Sequence, residues 1–382
     1  MPSFAIVQKV GTDNNPITGM AKIKISCPQC HQELQCDEKR GGKKVKCPHC
    51  KHLILVPAIF SKRVASRHWP RVIWRGAKGK FLTVAVILIL LVMPVLVWLW
   101  LVPPTHIHWS DRRPIGVLFL ASNYHSSATN PRGWFNDPSL DVTGADGPQR
   151  FRQALMDYTD RSLAILKRTG AQGVIVWDLE GEQFPHKTSF IGDPRVLGRL
   201  APEMAAVADE FFGRLRGAGL KVGLTVRPQA LVFDEQGQPH QSAVFDTQKL
   251  LLEKIDYARS RWSATLFYVD STGGVRRPDE VWQLRRLAAQ RPDILLIPEH
   301  HYLPYWSFSA PYVALRQGDS GVAAKWARKL FPESFQALDI GDAANDWAKI
   351  AVARSRGDIL LFRAWCWSPE CELLEGFAHD QR

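Results

Sequence analysis

Residues 173–181 have the sequence GVIVWDLEG, in which branched apolar residues lead directly into acidic side chains. A strand that is buried on both faces of a parallel sheet has this composition. Seven more runs of this kind occur between residues 115 and 362. The eight strand candidates are Ile115–Ala121, Gly173–Asp178, Lys221–Val226, Thr265–Asp270, Asp293–Pro298, Tyr312–Leu315, Phe335–Ile340 and Asp358–Phe362.

Stretches with helical periodicity separate these runs. They are Gln149–Thr169, Pro202–Arg216, Thr247–Arg261, Asp279–Ala289, Val322–Leu330 and Asp342–Arg356. This alternation predicts the α/β class and a (β/α)8 barrel of the TIM type, whose usual length is roughly 250 residues. The connection 300–310 has room for one short helix at most, so an incomplete ring is one option, and a six-stranded doubly wound sheet is the main alternative.

The basic charge of the chain is confined to its first 80 residues. Of the 49 Lys or Arg and 37 Asp or Glu in the chain, residues 1–80 hold 16 and 4, so the other 302 residues hold 33 of each. A protein that binds nucleic acid over its whole surface is therefore excluded. With 46% apolar residues and 14 Trp, the chain can bury a sizeable core, which excludes a disordered protein.

An uncharged run precedes the predicted barrel. Residues 81–102 read FLTVAVILILLVMPVLVWLWLV, and a helix needs roughly 20 apolar residues to cross a bilayer. Residues 61–80 hold seven Lys or Arg and no acid, whereas residues 103–122 hold only Arg112 and Arg113. The positive-inside rule then predicts a single-pass membrane protein with a cytoplasmic N-terminus and an extracytoplasmic C-terminal domain.

Two Cys-x-x-Cys pairs, Cys27 with Cys30 and Cys47 with Cys50, are separated by 16 residues. Zn²⁺ prefers four thiolate or imidazole ligands in a tetrahedron, and two such turns supply them. We therefore expect one structural zinc ion bound by these four cysteines. Cys36 is surplus to this set, either as a free thiol or as a substitute ligand. No cofactor is predicted for the barrel.

Two short strands, Lys22–Ser26 and Lys43–Lys46, are expected to carry the cysteine turns. Residues 42–50, GKKVKCPHC, resemble the second half of small bacterial zinc-ribbon domains. That resemblance implies a structural role or a cytoplasmic protein partner, and we favour these over nucleic acid because membrane topology accounts for much of the basic charge. The predicted divisions are a flexible leader over residues 1–19, with Met20 as a second candidate start, a zinc ribbon over 20–57, a basic juxtamembrane linker over 58–80, a membrane helix over 81–102 and the barrel over 103–382.

Polar side chains follow the carboxyl ends of the predicted strands, which meet at one rim of a barrel. Indole rings stack on the apolar faces of sugars, while carboxylates and guanidinium groups bind hydroxyls, so the rim predicts carbohydrate as the partner. The expected substrate contacts are Asp178 and Glu180 after the second strand, Arg227 after the third, and Arg363, Trp365 and Trp367 after the eighth. Because side chains alternate along a strand, Asp178 and Glu180 are expected to project the same way.

Hydrolysis of a glycosidic bond requires two carboxyl groups, one protonated and one ionised. We assign Asp270, after the fourth strand, as the ionised group and Glu299, after the fifth, as the proton donor. Asp319, after the sixth strand, is the alternative donor. A separation of about 5–5.5 Å between the carboxyl groups predicts retention of configuration, and about 6.5–9.5 Å predicts inversion.

Three segments resemble glycoside-hydrolase-type barrels: residues 173–181, Val222–Gln229 (VGLTVRPQ) and Leu266–Asp270 (LFYVD). An Asp that ends the fourth strand is similar to the nucleophile of α-galactosidase and α-glucosidase relatives. The resemblance implies a glycoside-hydrolase-like barrel, and with the predicted topology it suggests a membrane-anchored protein that acts on an extracytoplasmic glycan. It also implies a proton donor after the sixth strand, which favours Asp319 over Glu299.

The rim residues also have structural interpretations. Asp178 can cap the turn that follows it, and Glu180 can form an ion pair with Arg227. If most rim acids are structural, the protein is a non-catalytic receptor for a glycan or envelope material, and its ribbon binds a partner inside the cell.

The C-terminal segment leaves two further alternatives open. Trp365 and Trp367 either line the rim or pack in the core. Cys366 and Cys371 form either a disulfide across Pro369 or two buried thiols.

Overall fold

The structure of the protein is a computed structural model that divides into two compact units, residues 1–94 and 95–382. The residues that it describes are 7–9, 22–27, 29–30, 32–37, 43–55, 86, 88–93, 107–122, 126–185, 188, 190–273, 277–315, 322–340 and 343–364.

In its described residues the first unit contains five short strands. They are β1 (Val7–Lys9), β2 (Lys22–Ser26), β3 (Glu33–Asp37), β4 (Lys44–Lys46) and β5 (Leu53–Leu55). The first three form an antiparallel sheet and the last two form a hairpin. Both predicted strands are confirmed, the second with one residue less at its start. β1 lies within residues 1–19, the predicted leader, and the rest of that segment lies outside the described residues.

Most of the predicted membrane segment, residues 81–102, lies outside the described residues. Val86 and residues 88–93 are helical, and their side chains are exposed. Of the helices that the structure describes, none combines the length and the apolar character needed to cross a bilayer.

The second unit contains ten strands in its described residues. They are β6 (Ile115–Phe119), β7 (Gly173–Trp177), β8 (Lys221–Val226), β9 (Ala230–Phe233), β10 (Pro239–Ser242), β11 (Leu266–Val269), β12 (Leu295–Pro298), β13 (Tyr312–Ala314), β14 (Ala337–Asp339) and β15 (Ile359–Arg363). β9 and β10 form an antiparallel hairpin, and the other eight form one sheet. All eight strand candidates are thus confirmed, with ends that differ by at most two residues.

The order of the eight strands is β12–β11–β8–β7–β6–β15–β14–β13, and every neighbouring pair is parallel. With the exception of β12 and β13, which lie at the two ends of this order, strands of the sheet that follow one another in the chain are neighbours, and the last strand, β15, pairs with the first, β6. A doubly wound sheet would reverse its direction at a switch point. The doubly wound alternative is therefore wrong, and the sheet has the order of a (β/α)8 barrel.

The ring is nearly closed between β12 and β13. Among the described residues these two strands share no ladder. Instead Ala310, just before β13, donates its backbone N–H to the carbonyl oxygen of Leu296 in β12 at 3.0 Å. The connection 300–310 contains a single 3₁₀ turn, Leu303–Ser307, and no α-helix, so the ring is incomplete at the place that the sequence indicated.

Helices cover the outside of the barrel. In the described part of the second unit they are α1 (Gly147–Arg168), α2 (Leu197–Leu200), α3 (Pro202–Ala205), α4 (Ala208–Gly217), α5 (Thr247–Trp262), α6 (Pro278–Gln290), α7 (Val322–Leu330) and α8 (Ala343–Ser355). The face of α1 that includes Phe151, Leu155 and Leu166 is buried, as its spacing predicts.

Two features differ from the sequence-based assignment. The predicted helix Pro202–Arg216 is divided into α3 and α4, because the N–H of Val207 donates to the carbonyl oxygen of Met204 (3.1 Å) in a tighter turn. The hairpin β9–β10 is an addition. Most of its side chains are only partly buried, and only its first strand (ALVF) is an apolar run, since the second reads PHQS.

Side chains of the barrel strands alternate between two apolar clusters. In β7, Ile175 and Trp177 lie in the cluster inside the barrel, whereas Val174 and Val176 lie in the cluster beneath the helices. The alternation has period two. It therefore sets which residue at the end of each strand faces the mouth of the barrel.

Gly223 in β8 tests how closely the barrel strands pack. A Cβ atom at this position would overlap the backbone and Cβ of Leu266 in β11. We expect Gly223→Ala to lower the free energy of unfolding by about 2 kcal/mol, because the neighbouring strand must move. Chemical denaturation followed by tryptophan fluorescence would measure the loss.

Gly213→Ala in α4 is the matched control. Nothing lies within 4 Å of a Cβ atom at that position, and alanine is the better helix former by about 1 kcal/mol. The control should be as stable as the unmodified protein or more so. Equal stability of the two variants would contradict the strand spacing described above.

Candidate functional site

Four aromatic rings from four strands form a surface at the barrel mouth, which we call the aromatic floor. Phe119 stacks on Trp177 with ring centroids 5.4 Å apart. Trp177 contacts Tyr268 at 4.7 Å, and Tyr268 meets the edge of Tyr312 at 5.3 Å. Trp177 and Tyr268 are buried, whereas Phe119 and Tyr312 are partly exposed, so the last two are the rings on which the apolar face of a ring-shaped ligand could stack.

Asp270 and Arg227 form an ion pair at the mouth. They follow β11 and β8, two paired strands. Arg227 Nε donates to Asp270 Oδ2 at 2.5 Å, and the two side chains are only 17% and 13% exposed. The hydroxyl of Ser271 also lies 3.4 Å from this oxygen. Full opposite charges in a partly dehydrated site attract strongly.

Glu299 is the neighbour of Asp270 on the next strand. β11 and β12 pair in parallel, and the two acids are the residues that directly follow the last pair of this ladder. Glu299 Oε2 accepts a hydrogen bond from the N–H of Ser271 at 2.6 Å, and His300 Nε2 lies 4.0 Å from the same oxygen. Because neighbouring strands lie about 4.8 Å apart, the structure brings the two acids together at the mouth.

Asp339, in β14, is a third acid of the mouth. The hydroxyl of Tyr312 donates to Asp339 Oδ2 at 2.7 Å. Burial raises the pKa of Tyr268, and the negative charge of Glu299 raises it further, followed by those of Asp270 and Asp339. The three acids therefore surround one buried phenol.

Sequence reasoning missed Asp339, although a signal for it exists. Phe335 and Ala337 lie in the cluster inside the barrel. Alternation then directs Asp339 to the mouth. Asp339 is followed by Ile340 and not by a run of polar residues. The criterion of polar residues directly after a strand therefore does not identify Asp339.

A cavity of about 520 Å³ opens at the ends of β6 and β15. It is lined by Phe119, Ala121, Ser122, Phe135, Asn136, Tyr158 and Arg363. Phe135 reaches the cavity because its N–H donates to the carbonyl oxygen of Leu120 at 2.8 Å. Arg363, one of the predicted substrate contacts, supplies the positive charge of the lining. Aromatic rings with a few polar groups are typical of small-molecule sites.

Asp178 and Glu180 lie beneath the loop after β7, where both are buried. Asp178 Oδ1 accepts from the N–H of Phe190, and Glu180 Oε1 accepts from the N–H of Asp193, both at 2.8 Å. Burial raises the pKa of each of these two carboxyl groups to about 7. The structure therefore places both acids away from solvent.

Two expectations about these acids are wrong. Glu180 forms no ion pair with Arg227 in the structure, because it faces the backbone of Asp193 while Arg227 faces Asp270. The strand also ends at Trp177, and Asp178 has a φ of +55°. Strand alternation therefore does not extend to Glu180.

The remaining predicted site residues are not described. Asp319, Trp365 and Trp367 lie outside the described residues, as do Cys366 and Cys371.

The four predicted zinc ligands converge in the first unit. The sulfur atoms of Cys27, Cys30, Cys47 and Cys50 all lie within 4.8 Å of one another. The Sγ atoms of Cys27 and Cys50 are 3.6 Å apart, and those of Cys30 and Cys47 are 3.7 Å apart. Thiolates 2.3 Å from a tetrahedral zinc ion would lie about 3.8 Å apart. The cluster therefore fits a metal ion such as zinc.

Backbone hydrogen bonds shape the two cysteine turns. The N–H of Cys27 donates to the carbonyl oxygen of Gln32 and that of Cys47 to His52, at 3.0 and 2.8 Å, which closes both turns. A hydrogen bond from the backbone of Cys50 lowers the pKa of Cys47 to about 6. Metals bind the thiolate form, so this bond favours the ligand state of Cys47, whereas burial raises the pKa of Cys30 and that of Cys50.

No protein-family model matches the chain, and no curated protein matches it. Solved structures with a similar backbone include a noncanonic maltogenic alpha-amylase from Thermotoga neapolitana, with 11% identity over 71% of this chain and 77% of that chain and a TM-score of 0.42. An alpha-fucosidase from Thermotoga maritima has 11% identity, covers 72% and 74%, and has a TM-score of 0.41. Alpha-L-fucosidase isoenzyme 1 from Paenibacillus thiaminolyticus has 10% identity, the same coverage and a TM-score of 0.41. With identities of 10–11% and TM-scores of 0.41–0.42, these similarities support no inference about activity. The barrel fold follows from the strand order of this chain.

The buried acids Asp178 and Glu180 predict a pH-dependent stability. Between about pH 4 and pH 7 they are protonated in the folded protein and ionised in the unfolded chain, since their folded pKa of about 7 exceeds the unfolded value. The folded state then binds more protons, so the free energy of unfolding should fall, by up to a few kcal/mol, as the pH rises through this window. Urea denaturation at pH 5 and pH 8 would measure the difference.

The double variant Asp178→Asn, Glu180→Gln keeps both acceptors without the charge, and we expect it to lose most of this pH dependence. Asp160→Asn, at an exposed position of α1, is the control and should retain it. An unchanged slope in the double variant would show that these acids are not the source.

Cys47→Ser should abolish metal binding in the first unit, because it removes one of four thiolates from the cluster. Elemental analysis of the purified chain should find about one zinc per molecule, and much less in the variant. Cys36→Ser, which leaves all four clustered cysteines in place, is the matched control and should keep its metal. A Cys47→Ser protein with full zinc content would contradict the assignment.

Proposed function

We propose that the protein is a membrane-anchored glycoside-hydrolase-like barrel that acts on an extracytoplasmic glycan through two carboxyl groups. One observation carries the proposal. Asp270 and Glu299 follow paired positions on neighbouring strands and both contact Ser271. They do so at the carboxyl ends of the strands, where barrels of this kind place their active sites.

Asp270 has the surroundings of the ionised group. Its Oδ2 atom lies against the guanidinium of Arg227, a partner that suits a carboxylate better than a carboxylic acid. In glycosidases that retain configuration, one of the two carboxyl groups attacks the anomeric carbon as an ionised nucleophile. We therefore propose that Asp270 attacks the anomeric carbon and that configuration is retained.

Glu299 is the proposed proton donor. Its side chain is 32% exposed, more than that of Asp270, so it can reach the oxygen of a leaving group that departs toward solvent. After the glycosyl group has been transferred to Asp270, the ionised Glu299 would take a proton from the water that completes hydrolysis. Asp319 remains the alternative donor.

The glycan would lie across the aromatic floor and into the cavity beside it. Stacking on the rings buries the apolar face of a sugar, and Asn136 and Arg363 of the cavity supply hydrogen-bond donors to its hydroxyls. Trp365 and Trp367 follow β15 in the sequence and are proposed to extend this surface. Asp178 and Glu180 would support the rim from below and make no contact with substrate.

The first unit would hold its four cysteines around a structural zinc ion and contact a protein partner in the cytoplasm. The basic residues before the apolar segment 81–102 support this topology, with the barrel on the other side of the membrane.

A non-catalytic glycan receptor is the second candidate. The short contact between Arg227 and Asp270 favours it, because the guanidinium occupies an oxygen of the proposed nucleophile and both side chains are largely buried. In such a protein the ion pair would be structural.

Hydrolysis tests the proposal. The full-length chain, purified in detergent, should cleave one or more members of a panel of aryl glycosides and polysaccharides, and proton NMR should show a product of retained configuration. Asp270→Asn and Glu299→Gln should each lower kcat on the best substrate by on the order of 10³, because each removes one of the two carboxyl groups that the reaction requires.

Asp293→Asn is the matched control. Asp293 precedes β12 at the opposite end of the barrel, where it pairs with Arg259, and its substitution should leave kcat unchanged. Full activity in Asp270→Asn would remove Asp270 from its role. Glycan binding without turnover by the unmodified chain would establish the receptor instead.

A further inference from the structure

The loop 227–229, directly after β8, contacts the segments that carry both proposed catalytic acids. From one end of the loop, Arg227 Nε donates to Asp270 Oδ2 at 2.5 Å. From the other end, Gln229 Nε2 donates to the carbonyl oxygen of Ser271 at 3.0 Å. The position of this loop therefore affects the positions of Asp270 and Ser271.

Ser271 extends the contact to the second acid. Its N–H donates to Glu299 Oε2 at 2.6 Å. The peptide of Ser271 is thus held by Gln229 at its carbonyl oxygen while its N–H orients Glu299. Displacement of the loop would alter the orientation of both acids.

Lys254 holds this loop by hydrogen bonds from the helix layer. It lies on α5, is fully buried, and donates from Nζ to the carbonyl oxygens of Arg227 and Gln229 at 2.8 Å each. Its third neighbour is Asp193 Oδ2 at 3.6 Å. One ammonium group therefore joins both ends of a three-residue loop to the helix layer.

An ammonium group is a costly choice for this position. Burial lowers the pKa of Lys254 to about 8, and removing an ion from water costs several kcal/mol even after relaxation. An apolar side chain would fill the same space without that cost. An apolar side chain would, however, leave the carbonyl oxygens of Arg227 and Gln229 without the donors that the ammonium group of Lys254 supplies.

We infer that Lys254 is a positioning residue for the catalytic carboxyl groups. By holding the carbonyl groups of residues 227 and 229, it sets Arg227 against Asp270 and, through Gln229 and Ser271, sets the orientation of Glu299. This inference rests on the proposed hydrolase function.

Lys254→Met is the principal test, since methionine is of similar length and has no donor. In the full-length chain we expect kcat to fall by on the order of 10², as for a small misplacement of reacting groups, while KM changes less than threefold. Lys249→Met, at an exposed position of the same helix, is the matched control and should leave both constants unchanged.

Hydrogen exchange supplies a readout that does not depend on activity. In Lys254→Met the amides of Asp270 and Ser271 should exchange faster than in the unmodified chain, while those of Phe267 and Tyr268 within β11 stay protected. Faster exchange throughout β11 would indicate a general loss of stability and would overturn the inference. Unchanged exchange at residues 270–271 would overturn it as well.

Gln229→Leu covers the case in which Lys254→Met does not fold. It removes the side-chain bond to Ser271 and leaves the backbone acceptors of Lys254 in place, so we expect faster exchange at Ser271 and a loss of kcat in the same direction. Slower turnover with unchanged exchange at Ser271 would refute the coupling. If the unmodified chain hydrolyses no glycan, the proposed function fails, whereas the exchange result still decides whether Lys254 holds the two acids.

Discussion

In-register parallel pairing of β8, β11 and β12 is the constraint on which the barrel mouth depends. The ladder aligns the last residues of these strands, so Arg227, Asp270 and Glu299 emerge side by side. A slip of one residue in any of the three strands would turn its side chain toward the helix layer. The ion pair, the bond to Ser271 and the surrounding of Tyr268 all follow from this register.

The acids at the mouth, and the buried acid beneath it, each have a hydrogen-bonding partner. Asp270 has Arg227, Asp339 has the hydroxyl of Tyr312, and the buried Glu180 has the N–H of Asp193. A buried charge without such a partner would destabilise the fold by several kcal/mol. From Asp270 and Arg227 the contacts continue through the loop after β8 to Lys254 on α5.

The parts of the site that were predictable are those marked by local sequence. Asp270 and Glu299 each end a buried apolar run, and the four cysteines follow a spacing that only a few architectures use. Asp178 and Glu180 were marked in the same way, but a left-handed residue at position 178 breaks the alternation on which their predicted direction relied. Lys254 carried no signal, since a lysine on a helix is ordinarily exposed.

The amino-acid sequence by itself determined the eight strands, most of the helices and the cysteine turns, because each of these depends on a pattern within a short stretch of sequence. Only the tertiary structure decided which side chains meet. Arg227 and Asp270 are 43 positions apart, Glu299 and Ser271 are 28 apart, and the Lys254 contact with Arg227 spans 27. Such partners become neighbours only when the ring of strands forms, and the periodicity of the sequence does not indicate which distant side chains will then meet.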